Sequence, residues 1–276
     1  MQVRSTPFSA WNTAIGAAIA ALDTPAFPAR LTEAIKTLVA FDNAMVFAYR
    51  GNERPIAPYT DVTAAEEPRI VDGYISGPYL LDPFFAEVRR GRTSGIAALR
   101  DIAPDHFYQS EYYKQHYRHT AIDDEIGFFM AVPGDIVPVL SITRRHAQWR
   151  FEAAEVRLLA TVAPVVTALG ARHWTALAET FAAGGQAAPD PDRPAPNPID
   201  TALQAIGENV LSARQTEIVA LILKGHSSES IGLLLGISPG TVKIHRKNAY
   251  AKLGISSQAE LFSLFLDHLR RAVVRN

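Results

Sequence analysis

A proline-rich segment divides this chain into two parts. Residues 182–200, AAGGQAAPDPDRPAPNPID, contain two glycines and five prolines and almost no side chain that could anchor a hydrophobic core. Proline fixes φ and removes a backbone donor, so such a run continues neither a helix nor a strand. We therefore predict a linker at 182–200 that joins a domain at 1–181 to a smaller domain at 201–276.

The larger domain mixes helical and extended patterns. Helical spacing of apolar residues runs through 28–41, and 44–59 reads as a strand, a turn and a second extended segment. Residues 125–145 form two β-rich runs around a Pro-Gly-Asp turn. Residues 151–181 are helical again, and Pro164 should kink or divide that helix. This order predicts an α+β sensor-type fold, with an antiparallel sheet sandwiched by helices.

We expect no membrane-spanning segment. No apolar run approaches the roughly 18 residues that cross a bilayer, and the alanine-rich stretch 14–26 is predicted to be a first helix. The chain has no cysteine, which excludes disulfides, thiolate metal sites and a cysteine nucleophile.

The smaller domain is predicted to be all-α, with four short helices. Their expected bounds are Ser212–Leu223, Ser228–Leu235, Pro239–Leu253 and Gln258 to about Leu269. The second and third helices are separated by Gly236, and Ser238 followed by Pro239 is a good cap for the third. A short helix, a glycine turn and a capped helix make a helix-turn-helix.

The outward face of the third helix is basic. Residues 231–259 contain no acidic residue, and the whole of 201–276 has nine Lys or Arg against five Asp or Glu. The lysines suit phosphate oxygens, and Thr241, Ile244 and Asn248 suit base edges. A solvated helix face is the plainer alternative. The cap, the turn and the charge favour double-stranded DNA, with contacts predicted for Ser238, Thr241, Lys243, Ile244, His245, Arg246, Lys247, Asn248 and Lys252.

Residues 211–266 resemble the DNA-binding domain of the LuxR family of bacterial transcription regulators. The likeness rests on Leu211-Ser212-x-Arg214, Thr241-Val242-Lys243, His245 and Lys252-Leu253-Gly254-Ile255. The resemblance implies that the third helix reads DNA, that the fourth contributes to dimer contacts, and that a homodimer binds a two-fold symmetric operator. It also implies a cytoplasmic protein, with RNA polymerase as a possible further partner.

Two alternatives to a LuxR-type regulator remain at this point. The segment SPGTVK, residues 238–243, also resembles the promoter-reading region of alternative sigma factors. His245, the AKLGI ending and the upstream α+β domain favour the LuxR type. The second alternative is an enzyme or metal-binding domain with an accessory DNA-binding tail.

The larger domain is predicted to sense a small molecule. It has no acidic pair at the end of its first strand, as a phosphate-accepting receiver would need, and no phosphate-binding loop for ATP. It resembles the autoinducer-binding or GAF-like sensors of LuxR regulators, and Asp82-Pro83 is similar to a pair in acyl-homoserine-lactone receptors. Those receptors carry Trp and Tyr where Arg69 and Gly73 stand here, so we expect a different effector.

The stretch SEYYKQHYRHTAIDDE, residues 110–125, supplies further sensor residues. If Ser110 caps a helix over 111–120, its tyrosines gather on one side and most of its charges on the other. Aromatic walls with a few polar groups are typical of ligand pockets, although ordinary packing explains each tyrosine equally well. The predicted ligand-binding set is Tyr74, Tyr79, Asp82, Tyr112, Tyr113, Tyr117 and Asp123, for a ligand with an amine, amide or hydroxyl donor.

The same stretch also raises the possibility of a metal site. His116 and His119 are spaced for one helix face, and Asp123, Asp124 or Glu125 could complete the coordination. A histidine pair without a third fixed ligand is weak evidence, and the chain has no nucleophile motif paired with it. We therefore predict no catalytic residue, no metal and no cofactor.

Overall fold

The computed structural model describes residues 7–145, 150–183, 202 and 210–274. The chain divides into two compact units that interleave along the sequence. The first comprises Met1–Glu66, Glu87–Ile102 and Ile122–Asp190, and the second comprises Glu67–Ala86, Ala103–Ala121 and Pro191–Asn276. Residues 184–200 of the predicted linker lie outside the described residues, so its structure stays a prediction.

The helices and strands have the following bounds in chain order. The helices are α1 (Pro7–Ala20), α2 (Phe27–Lys36), α3 (Gly73–Ile75), α4 (Pro83–Arg89), α5 (Leu99–Ile102), α6 (Arg118–Thr120), α7 (Ala153–His173), α8 (Leu177–Ala183), α9 (Ala213–Lys224), α10 (Ser228–Leu235), α11 (Pro239–Leu253) and α12 (Gln258–Val274). π-Helical turns at Pro68–Asp72 and Tyr113–Tyr117 lead into α3 and α6, and 3-10 turns occupy Pro78–Leu81 and Phe107–Gln109. The strands are β1 (Asn43–Arg50), β2 (Ile56–Thr60), β3 (Gly95–Ala98), β4 (Ile122–Phe129) and β5 (Ile136–Arg145).

The first unit contains a five-stranded antiparallel sheet in the order β2-β1-β5-β4-β3. The predicted hairpin around the Pro-Gly-Asp turn is confirmed, because β4 and β5 pair on either side of it. The strand pair predicted at 44–59 is also confirmed as β1 and β2. The sheet and its helices confirm the α+β fold class.

One face of the sheet packs on a layer of helices. Val46 of β1, Phe128 of β4 and Leu140 of β5 belong to one core cluster with Phe27 of α2 and Leu159 of α7. Successive strand residues point to opposite faces, so these side chains share the inner one. Burying each large apolar side chain of this kind stabilises the fold by about 1.5–3 kcal/mol.

Residues on the opposite face of the sheet are buried as well. Phe47 and Tyr49 of β1, Phe129 of β4 and Val139 of β5 alternate with the core cluster and have almost no solvent exposure. Both faces being apolar explains why the strands read as nearly continuous hydrophobic runs in the sequence.

Helix α7 departs from two predictions. It runs through Pro164 without a break, so of the two predicted outcomes, a kink or a division, the division is wrong, and the helix ends at His173. Proline has no backbone N–H, so the carbonyl of Ala160 loses its helical hydrogen-bond donor. Pro164 and Ala160 are both solvent-exposed, so water can donate to that carbonyl instead.

Helix α7 is also long and apolar enough to cross a membrane, with a mean hydropathy of 1.4 over 18 residues. This is contrary to the prediction that no run has that length. A core helix passes the same test, and Leu159, Ala163 and Val166 of α7 lie in the core cluster of the first unit.

A first helix is present, as predicted for the alanine-rich start of the chain, but it ends at Ala20 instead of continuing through residue 26. Helix α1 buries Trp11, Ile15 and Ala18 in the same core cluster as the sheet. These positions lie three or four residues apart and therefore share one face of the helix.

The C-terminal helices match their predicted bounds closely. Helices α10 and α11 begin and end where predicted, and α12 continues five residues further, to Val274. Helix α9 is preceded by a capping box, in which Ser212 Oγ accepts from the Gln215 backbone N–H and Gln215 Oε1 accepts from the Ser212 N–H. Gln215 therefore caps the start of α9 through its side-chain oxygen.

Candidate DNA-binding surface and sensor cluster

Helices α10 and α11 form the predicted helix-turn-helix. Gly236 joins them in the left-handed conformation, with φ 64°, which glycine adopts without strain. Ser238 Oγ accepts from the Thr241 backbone N–H at 3.0 Å and so caps α11. Val242 and Ala249 of α11 are completely buried, which leaves the other side of the helix facing outward.

The outward side of α11 carries the predicted DNA-binding residues. The exposed ones are Ser238, Lys243, Ile244, Arg246, Lys247 and Asn248, and Thr241 and His245 are half-buried. The side chain of Ile244 is conspicuous, because 61% of this apolar residue is exposed. Cations, an amide, hydroxyls and one apolar group on a protruding helix can contact both phosphates and base edges in a major groove.

Lys252 is placed differently from the other predicted DNA contacts. Its Nζ donates to the Val210 carbonyl at 2.8 Å and to Gln215 Oε1 at 3.1 Å. The ammonium therefore ties the end of α11 to the start of α9, and we assign it a structural role. Nothing in the spacing of the lysines distinguishes it from Lys243 or Lys247.

Three of the predicted ligand-binding residues meet near the start of α4. The Tyr74 hydroxyl donates to Asp82 Oδ2, and the rings of Tyr74 and Tyr79 are 6.3 Å apart. Asp82 Oδ1 also accepts from the Phe84 backbone N–H at 2.8 Å. Burial raises the pKa of Asp82 to about 6, against the opposing effect of its hydrogen bonds from Tyr74 and Phe84. Part of its role is therefore structural, as the N-terminal cap of α4.

The remaining tyrosines lie on the helical segment that follows Ser110. Ser110 Oγ accepts from the Tyr113 backbone N–H at 3.1 Å, so the predicted cap is present. The segment is not a regular α-helix, however, because Tyr113–Tyr117 is a π-helical turn. Tyr112 and Tyr117 are buried, Tyr113 is half-buried, and the Tyr117 ring is 5.7 Å from each of the other two.

His116 joins the two groups of tyrosines. Its ring stacks on Tyr112 at a centroid distance of 5.5 Å and an interplanar angle of 10°, and it lies 5.5 Å from the Tyr74 ring. Burial, and then the nearby His119, lowers the pKa of His116 to about 4, so the ring is neutral near pH 7. We call the set Tyr74, Tyr79, Asp82, Tyr112, Tyr113, His116 and Tyr117 the aromatic cluster.

The last predicted ligand residue, Asp123, belongs to the first unit, whereas the aromatic cluster belongs to the second. Its neighbour Asp124 has a structural role, because its carboxylate accepts from the backbone N–H groups of Phe151 at 2.8 Å and Glu125 at 3.0 Å. Within the described residues, no group of three or more His, Asp or Glu side chains could hold a metal ion.

The second unit also contains a contact that the sequence did not predict, between residues 105–110 and the turn before α10. Asp105 Oδ1 accepts from the Ser227 N–H at 3.0 Å, and the His106 N–H donates to the Gly225 carbonyl at 3.0 Å. Burial alone would raise the pKa of Asp105, but the hydrogen bonds from Ser227, with His106 and His226 nearby, lower it. The carboxylate is thus held in its charged form.

Phe107 connects this contact to the aromatic cluster. Its ring centroid lies 5.5–5.9 Å from the rings of Tyr112, Tyr113 and Tyr117. Its backbone packs so closely on Gly225 that a Cβ there would lie 2.9 Å from the Phe107 Cα. Position 225 therefore requires glycine for two reasons: the backbone has a left-handed φ of 92°, and Phe107 leaves no room for a Cβ.

Two cations of α11 face the same region. Lys243 and Arg246 line a polar cavity of about 290 Å³ together with His106 and Gln109. The aromatic cluster, the segment 105–110 and the DNA-reading helix are all parts of the second compact unit.

A capped helix-turn-helix with an exposed basic helix defines a DNA-binding protein. Residues 209–265 match the family model described as "Bacterial regulatory proteins, luxR family". The chain is 31% identical over 193 residues to a putative HTH-type transcriptional regulator in the exeN 3' region of Aeromonas salmonicida, covering 70% of this chain and 97% of that protein. It is 42% identical over 62 residues to the transcriptional regulatory protein MctR of Rhizobium johnstonii, covering 22% of this chain and 29% of that protein.

The upstream region is similar to a solved structure. The VqsR LBD domain from Pseudomonas aeruginosa superposes with a TM-score of 0.53 and 28% identity, over 59% of this chain and 96% of that chain. The chain belongs to the LuxR family of bacterial regulatory proteins. It is a transcriptional regulator rather than an enzyme, and this membership also decides against a sigma factor.

Proposed function

We propose that this regulator binds a small molecule in its N-terminal region and that binding controls how its helix-turn-helix engages DNA. The observation that carries this proposal is the continuous contact from the aromatic cluster through Phe107 to Gly225, at the turn before α10. A ligand that moves the tyrosines changes the packing of Phe107, and the turn responds because its glycine has no room to adjust.

The effector we propose is not a standard acyl-homoserine lactone. Arg69 and Gly73 stand where the lactone receptors carry Trp and Tyr, so the contacts to a lactone head group are not available. The buried acceptor Asp82 instead favours a ligand with an amine, amide or hydroxyl donor. The likeness to the VqsR LBD domain supports a ligand-binding role for this region.

We propose that a cytoplasmic homodimer presents two copies of α11 to a two-fold symmetric operator. Lys243, Arg246 and Lys247 contact phosphates, and Thr241, Ile244 and Asn248 reach base edges, with Ser238 and His245 at the margin of the contact. Lys252 is left out of this set, since its ammonium is bound to Val210 and Gln215.

The test compares two lysines of one helix. We expect Lys247→Ala to weaken binding to a pool of random 30-base-pair duplexes and to reduce the slope of log affinity against log salt by about 0.9, the value for one lost phosphate contact. Fluorescence anisotropy at several salt concentrations measures this slope.

Lys252→Ala is the matched control. It removes an exposed ammonium whose hydrogen bonds to Val210 and Gln215 join α11 to the start of α9, so it should lower the free energy of unfolding by about 0.5–1.5 kcal/mol and leave the salt slope unchanged. Equal salt slopes for wild type and Lys247→Ala would show that the outward face of α11 does not bind DNA as proposed.

A further inference from the structure

A cavity in the second unit adjoins the aromatic cluster but is separate from the contact at Gly225. Its volume is about 300 Å³, at the lower end of the range for small-molecule pockets. The walls come from the turn and helix around 69–78, the helical segment 115–120, and Phe262 and Leu266 of α12. All of these residues belong to one compact unit.

The polar side of this cavity is suited to an anion. Arg69, His116 and His119 line it, and none of the described lining residues is acidic. Arg69 is placed by a hydrogen bond of 2.7 Å from Nη1 to the His119 carbonyl. Guanidinium groups recognise carboxylates through pairs of N–H donors, and neutral imidazoles add further donors.

His116 is held ready for such a contact by its neighbours. One face of its ring stacks on Tyr112, and Tyr74 and Tyr117 lie against it at 5.5 and 5.7 Å. Within the described residues, its ring nitrogens have no hydrogen-bond partner. An oriented imidazole at the edge of a cavity is a suitable donor for a ligand oxygen.

The other side of the cavity is apolar. Phe262 is almost completely buried and Leu266 is half-buried, and Pro78 lies with them in the lining. Helix α12 approaches this region closely, because a Cβ at Gly77 would lie 2.8 Å from Leu269 Cδ1. A ligand here therefore contacts the last helix of the DNA-binding region and the sensor segments at once.

We propose that this cavity binds a small organic carboxylate, with its anionic group at Arg69, His116 and His119 and its apolar body against Phe262 and Leu266. The cavity shares His116 with the aromatic cluster, while its other lining residues lie outside that cluster. The binding proposal does not depend on the proposed sensing function, and only its regulatory consequence rests on that function. Occupancy holds α12 against residues 69–78, and so adds to the stability of the unit that contains the DNA-reading helix.

Binding is tested on the full protein without DNA, so that the outcome does not depend on the proposed DNA contacts. The probes are benzoate, phenylacetate and hexanoate, with benzamide as the neutral partner of benzoate, and titration calorimetry measures each dissociation constant. We expect at least one carboxylate to bind, and benzoate to bind at least tenfold more tightly than benzamide.

Variants locate the bound probe. Arg69→Met removes the charge at an exposed position and should weaken carboxylate binding at least tenfold, and Leu266→Trp fills the cavity and should abolish it. Arg89→Met, at an exposed arginine of α4 outside the lining, should bind as wild type does. Circular dichroism verifies the fold of each variant, and Arg69→Met alone decides the case if Leu266→Trp does not fold.

The proposal is overturned by any of three results: no carboxylate binds, benzamide binds as tightly as benzoate, or Arg69→Met retains wild-type affinity. Binding that survives in a folded Leu266→Trp variant also overturns it, because the probe then occupies another site. The DNA experiment with Lys247→Ala is independent of all four outcomes.

Discussion

His116 and His119 stand three positions apart in the sequence, yet their surroundings differ. His116 lies among three tyrosine rings, whereas His119 is exposed. The spacing alone suggested a pair of metal ligands, because it places both on neighbouring turns. The packing of Tyr112 and Tyr74 makes His116 part of the aromatic cluster.

The burial of His116 predicts a pH-dependent stability. Its pKa is lowered from the ordinary 6.5 to about 4, so between these values the unfolded chain binds a proton that the folded chain does not. The free energy of unfolding therefore falls as pH decreases from 6.5 to 4. In His116→Gln, the loss of unfolding free energy between pH 6.5 and pH 4 should be smaller than in the wild type by about 1–3 kcal/mol. The expected difference is less than the full pKa shift would give, because the His116 ring is partly exposed.

Urea denaturation at several pH values measures this effect. Asp82, whose pKa is raised to about 6, titrates in the same window with the opposite sign. Asp82 is present in both the wild type and His116→Gln, so the difference between their stability curves reports the contribution of His116 alone. His119→Gln, at an exposed position of the same segment, removes only the smaller cause of the His116 pKa shift, so it should change the profile much less than His116→Gln does. Parallel curves for wild type and His116→Gln would contradict the assignment.

The roles of the three lysines of α11 could not be distinguished from the sequence. Lys243, Lys247 and Lys252 are equivalent in a sequence pattern, but only Lys252 reaches the Val210 carbonyl and Gln215. Its partners precede it by 42 and 37 residues. A contact of that sequence separation depends on how α9 and α11 pack, which helical periodicity does not specify.

At the scale of elements, caps and turns were the most predictable features. Ser212 and Ser238 each accept a backbone hydrogen bond at the start of a helix, and Gly225, Gly236 and Gly254 end helices with positive φ. These are local interactions between residues at most four apart, so the sequence pattern contains both partners.

Two of these glycines provide a matched comparison. Gly225 and Gly254 both end helices in the left-handed conformation, and alanine at either should cost about 1–2 kcal/mol of strain. A Cβ at Gly254 meets nothing within 4 Å, whereas one at Gly225 lies 2.9 Å from the Phe107 Cα. We expect Gly225→Ala to lower the free energy of unfolding by at least 1 kcal/mol more than Gly254→Ala.

Chemical denaturation of the two alanine variants measures the difference. Equal losses of stability would mean that residues 105–110 do not pack on the turn before α10. A larger loss for Gly254→Ala would contradict the assigned geometry in the same way.

The irregular elements were not predictable. The π-helical turn at Tyr113–Tyr117 inserts an extra residue into what reads as a regular helix over 111–120. Its side chains still separate broadly as expected, with Tyr112 and Tyr117 buried and Lys114 and Arg118 exposed. The burial of Tyr112 and Tyr117 stabilises this turn, which is a rare conformation in proteins.

At the scale of the whole molecule, the boundary between the two compact units does not coincide with the proline-rich segment at 182–200. The C-terminal helices share a unit with Glu67–Ala86 and Ala103–Ala121, which precede 182–200 in the chain. The contact of Asp105 with Ser227 and of His106 with Gly225 lies within that unit. Such a contact can restrain the DNA-reading helix.

We expect Asp105→Ala to increase DNA affinity several-fold. The change removes the acceptor for the Ser227 N–H, and Lys243 and Arg246 are then less confined beside His106 and Gln109. Helix α10 itself should persist, because Ser227 Oγ still accepts from the Ser230 N–H at 3.0 Å.

Anisotropy with the same duplex pool used for Lys247→Ala measures this change. Asp101→Ala, at an exposed position just upstream, is the control and should bind as wild type does. If Asp105→Ala binds DNA no more tightly than Asp101→Ala, the contact at Ser227 does not restrain DNA binding.

The sequence by itself determined the helix-turn-helix, its caps, the antiparallel hairpin and the family, because each is encoded by residues a few positions apart or by a motif of about 60 residues. Only the tertiary structure decided which lysine of α11 hydrogen-bonds to Val210 and Gln215, that His116 links the tyrosines, and that α12 forms one wall of a cavity with residues 69–78 and 115–120. These features depend on side chains separated by tens to hundreds of residues, and their contacts arise from packing rather than from any local pattern.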